Sequence, residues 1–149
     1  MVALLEALSD GLARQAPAEG SWSPAQVAFH VAVTNELFAG VLSGAVPLSK
    51  PAPSGFSENS DIFSGLPSKV KTLPPLEPPS AATRAEAIDK LRSSERALIT
   101  AIKSLAPERA ASQVMDLPFG TINMYQAAEF TGAHAARHLD QIRRCTADA

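Results

Sequence analysis

The sequence predicts an all-α protein: a four-helix bundle with a long proline-rich crossover loop between its second and third helices. Four segments repeat apolar residues at the three-to-four-residue spacing of an amphipathic helix, and no alternating strand pattern competes with them. Eight of the twelve prolines fall between residues 44 and 80, where no long periodic stretch occurs. With 149 residues and 46% hydrophobic composition, the chain is expected to form one domain over residues 1–149.

The first two predicted helices differ in how clearly they begin. Leucines at helical spacing place a short first helix from the start of the chain to about Gln15. The second opens with a capping box, in which Ser23 is the N-cap and Gln26 follows three residues later, and it runs to about Leu42 before Gly44. Its inward face is predicted to hold seven residues: Val27, His30, Val31, Thr34, Leu37, Phe38 and Val41.

The segment from residue 44 to residue 80 is long for a connection inside a compact domain. Such loops are typically lids over a functional site or crossovers between helices that are not adjacent antiparallel neighbours. A short helical turn is predicted near residues 60–63. Seven apolar residues are candidate anchors that a plain linker would lack: Phe56, Ile62, Phe63, Leu66, Val70, Leu73 and Leu76.

A second capping box, formed by Thr83 and Glu86, starts the third helix, which a downstream proline ends. Residues 108–120 are predicted to form an extended connector, after which Thr121 or Asn123 caps the final helix. The third helix is predicted to have a structural role only. Its core-facing side holds five residues: Ile88, Leu91, Leu98, Ile102 and Leu105.

Histidines are the residues that most clearly suggest chemistry. His134 and His138 lie four residues apart in the final helix, so their side chains stack one turn apart on one face and can point at a single ion. The third histidine, His30, lies on the inward face of the second helix. Face-to-face packing of the two helices would bring all three imidazoles together. The spacing alone is common, and a surface pair or a core histidine bonded to backbone is the usual alternative.

Neither histidine-bearing stripe offers a carboxylate partner. Glu36, Glu129 and Asp140 are each rotated well away from the histidine faces by their spacing along the helices. Buried imidazoles without partners would cost roughly 1–3 kcal/mol for each unpaired group, and a shared divalent cation would remove that cost. The sequence therefore favours a metal site with three ligands, His30, His134 and His138.

Three neutral nitrogen ligands suit zinc or nickel. With only three protein ligands, one coordination position of the ion stays open for water or substrate. The segment between His134 and His138 lacks the glutamate base of HExxH metalloproteases, which excludes that class. The activated species should then be a water or a thiol held by the ion. Gln141 and Thr34 are the nearest candidate polar neighbours, with a packing role as the alternative for both.

Two other side chains near this site are given structural roles. Trp22 is interpreted as a staple at the start of the second helix in preference to a substrate platform. Arg137 is interpreted as an exposed arginine, with the alternative that it reaches past the site towards an anionic ligand.

The amino-acid composition limits which kinds of partner and location are expected for this protein. Thirteen Lys and Arg residues against fifteen Asp and Glu give a net charge of −2 with no basic patch, which argues against a nucleic-acid partner. No uninterrupted apolar run has the length of a membrane span, and the acidic residues near the start do not resemble a signal peptide. Cys145, the single cysteine, excludes an internal disulfide framework and is interpreted as structural. The expected location is the cytoplasm.

The segments WSPAQVAFH and HAARHLDQIRR resemble the entry into helix two and the closing motif of the DinB/YfiT-like superfamily of four-helix metalloproteins. The resemblance extends to the order and lengths of the helices over nearly the whole chain. It implies metal ligands at His30, His134 and His138, a bundle with a crossover, and a homodimer. Members of this family include transferases and isomerases that use low-molecular-weight thiols, and proteins proposed as metal-dependent hydrolases.

The leading hypothesis is a metal-dependent thiol transferase or hydrolase that acts on a small molecule, with a low-molecular-weight thiol as a candidate substrate. The alternative is a non-catalytic bundle, either stabilised by metal or metal-free, that serves as a dimeric binding module. Turnover that is lost in His138→Ala without unfolding would separate the two.

Overall fold

A computed structural model describes residues 1–64 and 71–146 of the chain, and the loop positions Leu66 and Val70 lie outside the described residues. The described part is mostly helical with one small sheet. Six α-helices occur in it: α1 (Val2–Ala7), α2 (Asp10–Arg14), α3 (Pro24–Ser43), α4 (Arg84–Lys103), α5 (Pro107–Ser112) and α6 (Met124–Thr146). Three short strands form an antiparallel sheet in the order β1 (Lys50–Pro51), β2 (Gln113–Leu117) and β3 (Gly120–Asn123).

Both predicted capping boxes are confirmed. The Ser23 side chain accepts from the backbone of Gln26, whose own side chain accepts from the backbone of Ser23, and Thr83 and Glu86 repeat the arrangement at the start of α4. Gly44 ends α3 in the left-handed conformation, with φ of 84°, which a glycine adopts without steric cost. These local signals therefore fix where α3 and α4 begin and where α3 ends.

Side-chain pairs show that α3 and α4 run in the same direction. Near the start of α3, the Gln26 amide donates to the carbonyl oxygen of Pro79, just before α4 begins, at 3.3 Å. Further along both helices, Lys90 forms an ion pair with Glu36 at 2.8 Å. The segment between these parallel helices must therefore return along the length of the protein.

The helix α6 packs antiparallel to α3. The rings of Phe38 and Phe130 lie 5.1 Å apart, and those of His30 and His134 lie 5.0 Å apart, so the residue order is reversed between the two helices. All of the residues predicted on the inward face of α3 are buried except Leu37, which is partly buried. This packing brings the two histidine-bearing faces together.

The core has two clusters on either side of this contact. One surrounds the first half of α3 and includes Leu5, Val31 and Leu91, and the other surrounds its second half and includes Phe38 and Ile122. In α4 the predicted stripe holds for Ile88, Leu91 and Leu98, but Ile102 is 39% exposed, so its assignment to the core is wrong.

The predicted all-α class is wrong in one region. Residues 108–120 do not form a simple extended connector, because they contain α5, β2 and the turn into β3. Strands β2 and β3 pair from Val114 with Asn123 to Leu117 with Gly120. The turn holds Pro118 and Phe119 and lacks the Asn-Gly or Asp-Gly sequence that marks a tight hairpin, so the sequence carried little signal.

The predicted first helix is also interrupted. Helix α1 ends at Ala7, and Ser9 begins α2 by accepting a hydrogen bond from the backbone of Leu12 at 3.2 Å. A serine side chain competes for backbone donors and so favours such a cap over a helix interior. The chain thus has two short helices where a single one was expected.

The proline-rich segment has more order than a plain loop. The predicted helical turn near residues 60–63 is a turn without helix, and a 3₁₀ helix lies instead at Pro74–Leu76. Of the predicted anchors, Ile62 packs on the second core cluster, whereas Leu73 is 57% exposed. At Gly120, with φ of 143°, an added Cβ would lie 3.0 Å from the Cδ1 atom of Ile62.

Among the described residues, α3 is the one helix long and apolar enough to meet the length and composition criteria of a membrane span. Of that stretch, 67% is buried inside the protein, and a core helix passes the same test.

Candidate metal centre

The structure brings all three histidines to one point. His30 comes from α3, and His134 and His138 come from successive turns of α6. Their ligand nitrogens all lie within 4.8 Å of one another. The ring centroids of His134 and His138 are 4.5 Å apart, and that of His30 is 5.0 Å and 4.9 Å from them. The predicted convergence of two separate helices is therefore present.

Two of the three imidazoles have an outer hydrogen bond that fixes the position of their proton. Nδ1 of His30 lies 2.8 Å from the carbonyl oxygen of Leu76, and Nδ1 of His138 lies 2.8 Å from Oε1 of Gln141. A carbonyl oxygen can only accept, so each Nδ1 carries the hydrogen and donates it. Each Nε2 then keeps its lone pair and is available as a ligand atom, as in metal-binding histidines.

His134 is arranged differently. Its Nε2 lies 3.1 Å from Nε2 of His30, while its Nδ1 is buried with no hydrogen-bond partner among the described residues. Two nitrogens on a tetrahedral zinc ion, at about 2.0–2.1 Å each, lie roughly 3.3 Å apart. The observed separation is close to that value, and an ion would replace the hydrogen bond that Nε2–H of His134 donates to Nε2 of His30. The three residues therefore fit a divalent transition metal.

Burial keeps all three imidazoles neutral at physiological pH. It lowers the pKa of His30, which is 6% exposed, although the bond to Leu76 acts in the opposite direction. Burial, followed by repulsion from the protonated forms of His138 and His30 and from Arg137, lowers the pKa of His134 to about 3. Burial also lowers the pKa of His138 to about 4, against the opposing bond to Gln141. Neutral imidazoles are the form that binds metal.

In the described residues, the acidic side chains of α3 and α6 lie away from the histidine cluster. Glu36 pairs with Lys90 at 2.8 Å and Asp140 pairs with Arg143 at 3.0 Å, both on outer faces, while Glu129 is exposed. No aspartate or glutamate lines the cavity beside the histidines in this part of the chain. A side-chain carboxylate from these residues is thus excluded as fourth ligand or general base.

A cavity of about 420 Å³ opens beside the three histidines. Its walls come from α3, α6, the hairpin turn and the proline-rich segment. Most of the lining is apolar, and the aromatic part is a cluster in which Phe119 and Phe130 lie 5.5 Å apart and Phe63 lies 6.0 Å from Phe130. The volume is within the range of small-molecule sites. Two cationic residues, Lys71 and Arg137, also line it.

The structure shows how several neighbours of the site are placed. Gln141 orients His138 directly, and Thr34 lines the cavity while its hydroxyl donates to the carbonyl oxygen of His30 at 2.9 Å. Trp22 packs on the first core cluster, as a staple would, with its ring 5.0 Å from that of His30. The placement of Arg137 on the exposed face is wrong, because it is partly buried at the cavity.

The Leu76 carbonyl and the aromatic cluster were not predicted as parts of the site. A backbone carbonyl has no side-chain signature, and the residues of the cluster come from three separate segments. Cys145 lies outside the cavity lining, and burial raises the pKa of its thiol, which agrees with a structural role.

The fold and the site together define a class of mostly helical proteins with a buried three-histidine cluster at the mouth of an apolar cavity. The family model of the DinB superfamily matches residues 1–142 of the chain. The chain therefore belongs to the DinB superfamily. No curated protein and no solved structure gives a significant match.

Proposed function

We propose that this chain binds one divalent transition metal, zinc or nickel, through His30, His134 and His138, and acts as a metal-dependent thiol transferase or hydrolase on a small molecule. The observation that carries the proposal is the pair of outer hydrogen bonds from Nδ1 of His30 and His138. These bonds hold both Nε2 lone pairs towards the common point before any ion arrives.

A divalent ion with three protein ligands would supply an open position at which a water or a thiol loses its proton more easily. The residues of the cavity would bind the substrate and exclude water. The apolar walls bind the substrate body and keep bulk water away from the reacting group, which strengthens electrostatic interactions there. A proton released there would pass to solvent, because the described lining offers no carboxylate and the three imidazoles would serve as metal ligands.

Metal content tests the first half of the proposal. Protein purified without a histidine tag should hold about one zinc or nickel ion per chain, as expected for a single three-histidine site. His138→Ala should lose the metal while keeping its helical circular dichroism. Arg143→Gln is the matched control on the exposed face of α6 and should bind metal like the wild type. Unchanged metal content in His30→Ala, His134→Ala and His138→Ala would contradict the proposal.

Turnover tests the second half. Metal-loaded protein should either conjugate bacillithiol, mycothiol or glutathione to an electrophile or hydrolyse an ester, and His138→Ala should abolish that activity. If metal binds stoichiometrically but none of these reactions proceeds, the catalytic half of the proposal fails and the non-catalytic alternative is favoured.

The alternative, a dimeric binding module, has one supporting observation. Ile99 is 52% exposed and Ile102 is 39% exposed on α4, so this helix presents large apolar side chains to solvent. Burial of these side chains against a partner is favourable, and a second copy of the chain is the proposed occupant. Sedimentation analysis should show a dimer that Ile99→Glu converts to a monomer.

A further inference from the structure

We infer that the cavity beside the three histidines takes an anionic amphiphile, a small molecule with an apolar body and one oxyanion group such as a carboxylate. The inference rests on the proposed function in one respect, because the cavity and the metal centre belong to the same site. It adds the chemical class of the ligand, which the histidines alone do not specify.

The walls of the cavity call for an apolar body. Rings of Phe63, Phe119 and Phe130 form a continuous surface, with centroid separations of 5.5 Å to 6.3 Å. Leu73 also lines the cavity, and it is 57% exposed, although burial of such a side chain is favourable. A ligand that covers Leu73 and the aromatic rings would remove this apolar surface from water.

The charges at the cavity all have one sign in the described residues. Lys71 and Arg137 contribute cationic groups to the lining, and no acidic side chain opposes them there. A guanidinium carries five N–H donors, so Arg137 can hold an oxyanion alongside another partner. A bound divalent ion would make the site more positive still. Cationic ligands are therefore disfavoured, and an anion is favoured.

The placement of these groups also orients the ligand. Arg137 lies in α6 between His134 and His138 and lines the same cavity, so its charge is close to the histidine cluster. The Phe130 ring lies 5.5 Å from the His134 ring. A ligand body stacked on Phe130 would thus pass directly beside the metal centre, with its oxyanion held at Arg137 or Lys71.

Three ligands of matched shape test the inference: 4-phenylbutyrate, 4-phenylbutanol and 4-phenylbutylamine. Binding is measured by titration calorimetry on the full chain, in zinc-loaded and in metal-free form. The carboxylate should bind at least about tenfold more tightly than the alcohol, a difference of about 1.4 kcal/mol, and the amine should bind most weakly. This order should persist in the metal-free protein, because the side-chain cations remain.

Variants separate the two halves of the ligand. Arg137→Gln should reduce the preference for the carboxylate over the alcohol about tenfold while leaving the affinity for the alcohol nearly unchanged. Phe119→Ala should weaken both ligands to the same degree. Arg143→Gln, on the exposed face of the same helix, is the matched control and should change neither. Lys71→Gln, at an exposed position, provides a second charge variant in case Arg137→Gln does not fold.

Several results would overturn the inference. These are equal affinity for the carboxylate and the alcohol, tightest binding of the amine, and no binding of any of the three. A carboxylate preference that needs zinc and disappears in His138→Ala but not in Arg137→Gln would place the anion on the metal, which overturns the inference and leaves the proposed function standing. A preference that persists in a His138→Ala protein without metal supports the inference even if the proposed function fails.

Discussion

The carbonyl oxygen of Leu76 lies 2.8 Å from Nδ1 of His30, although the two residues are 46 positions apart in the chain. The proline-rich segment therefore contributes to the metal centre through its backbone. The 3₁₀ helix at Pro74–Leu76 sets the direction of that carbonyl, and its prolines restrict the backbone before the histidine is engaged. The long connection thus has a role at the site besides joining two parallel helices.

Gln141→Leu should weaken metal binding without unfolding the protein. The substitution removes the acceptor for Nδ1–H of His138, so the ring is no longer held in the ligand-competent orientation. Loss of such an outer partner typically lowers metal affinity by roughly 10- to 100-fold. Competition with a chromogenic chelator measures the change, and Asp140→Asn on the adjacent exposed position is the control. Equal affinity in Gln141→Leu and the wild type would rule out this role.

Metal removal should lower the thermal stability of the protein. An ion that binds only the folded chain adds about 2.7 kcal/mol when its concentration is 100 times its dissociation constant. For a domain of this size, that corresponds to a fall of about 5–10 °C in Tm on chelation. The comparison is made by calorimetry with and without chelator. His30→Ala should show no shift between the two conditions, and a shift of equal size in that variant would contradict the prediction.

The metal-free protein should lose stability as the pH falls below 6.5. Native His134 and His138 have pKa values lowered to about 3 and about 4, whereas the unfolded chain titrates near 6.5. Between these values the unfolded state binds more protons, so their contribution is fully present above pH 6.5 and is lost as the pH falls towards 3 to 4. Urea midpoints at pH 7.5 and pH 5 measure the loss.

His134→Gln is the control for this pH dependence, because it removes the group with the lowest pKa. Its urea midpoint should fall less than that of the wild type between pH 7.5 and pH 5. The comparison stops at pH 5 because Glu86 and Asp116, whose pKa values are lowered by hydrogen bonds, contribute to the stability of both proteins in more acidic solution. Parallel pH profiles for the two proteins would refute the assignment.

Asn123→Ala should destabilise the protein by about 1 kcal/mol, the usual effect of losing an N-cap. Its side chain accepts from the backbone of Gln126 at 2.9 Å and donates to Glu58 at 2.8 Å, so it also ties the proline-rich segment to the start of α6. Thr121→Ala, at the other predicted cap, should have a smaller effect on the urea midpoint. The reverse order would show that the cap is assigned to the wrong residue.

The histidine cluster could be predicted because it depends on helical periodicity. The spacing of His134 and His138, and the position of His30 on an apolar face, fix which side of each helix these residues occupy. Once two helices must bury those faces, convergence follows from packing alone. The capping boxes at Ser23 and Thr83 were predictable for a similar reason, since each depends on residues only three positions apart.

The rest of the site depends on contacts between distant segments. The hairpin has strands of five and four residues, and its pairing with Lys50 and Pro51 joins residues far apart in sequence. The Leu76 carbonyl has no side-chain signal at all. The prediction that Arg137 is exposed was wrong for the same reason. The proline-rich segment and the hairpin turn form a cavity against α6, and Arg137 lines that cavity.

Gly120 lies where the hairpin turn meets Ile62 of the proline-rich segment. Its φ of 143° favours glycine, and an added methyl group would meet Ile62, the neighbour of the cavity residue Phe63. The smallest possible enlargement at this glycine would therefore displace Ile62 beside the aromatic wall. A residue without a side chain thereby constrains how the proline-rich segment packs on the hairpin.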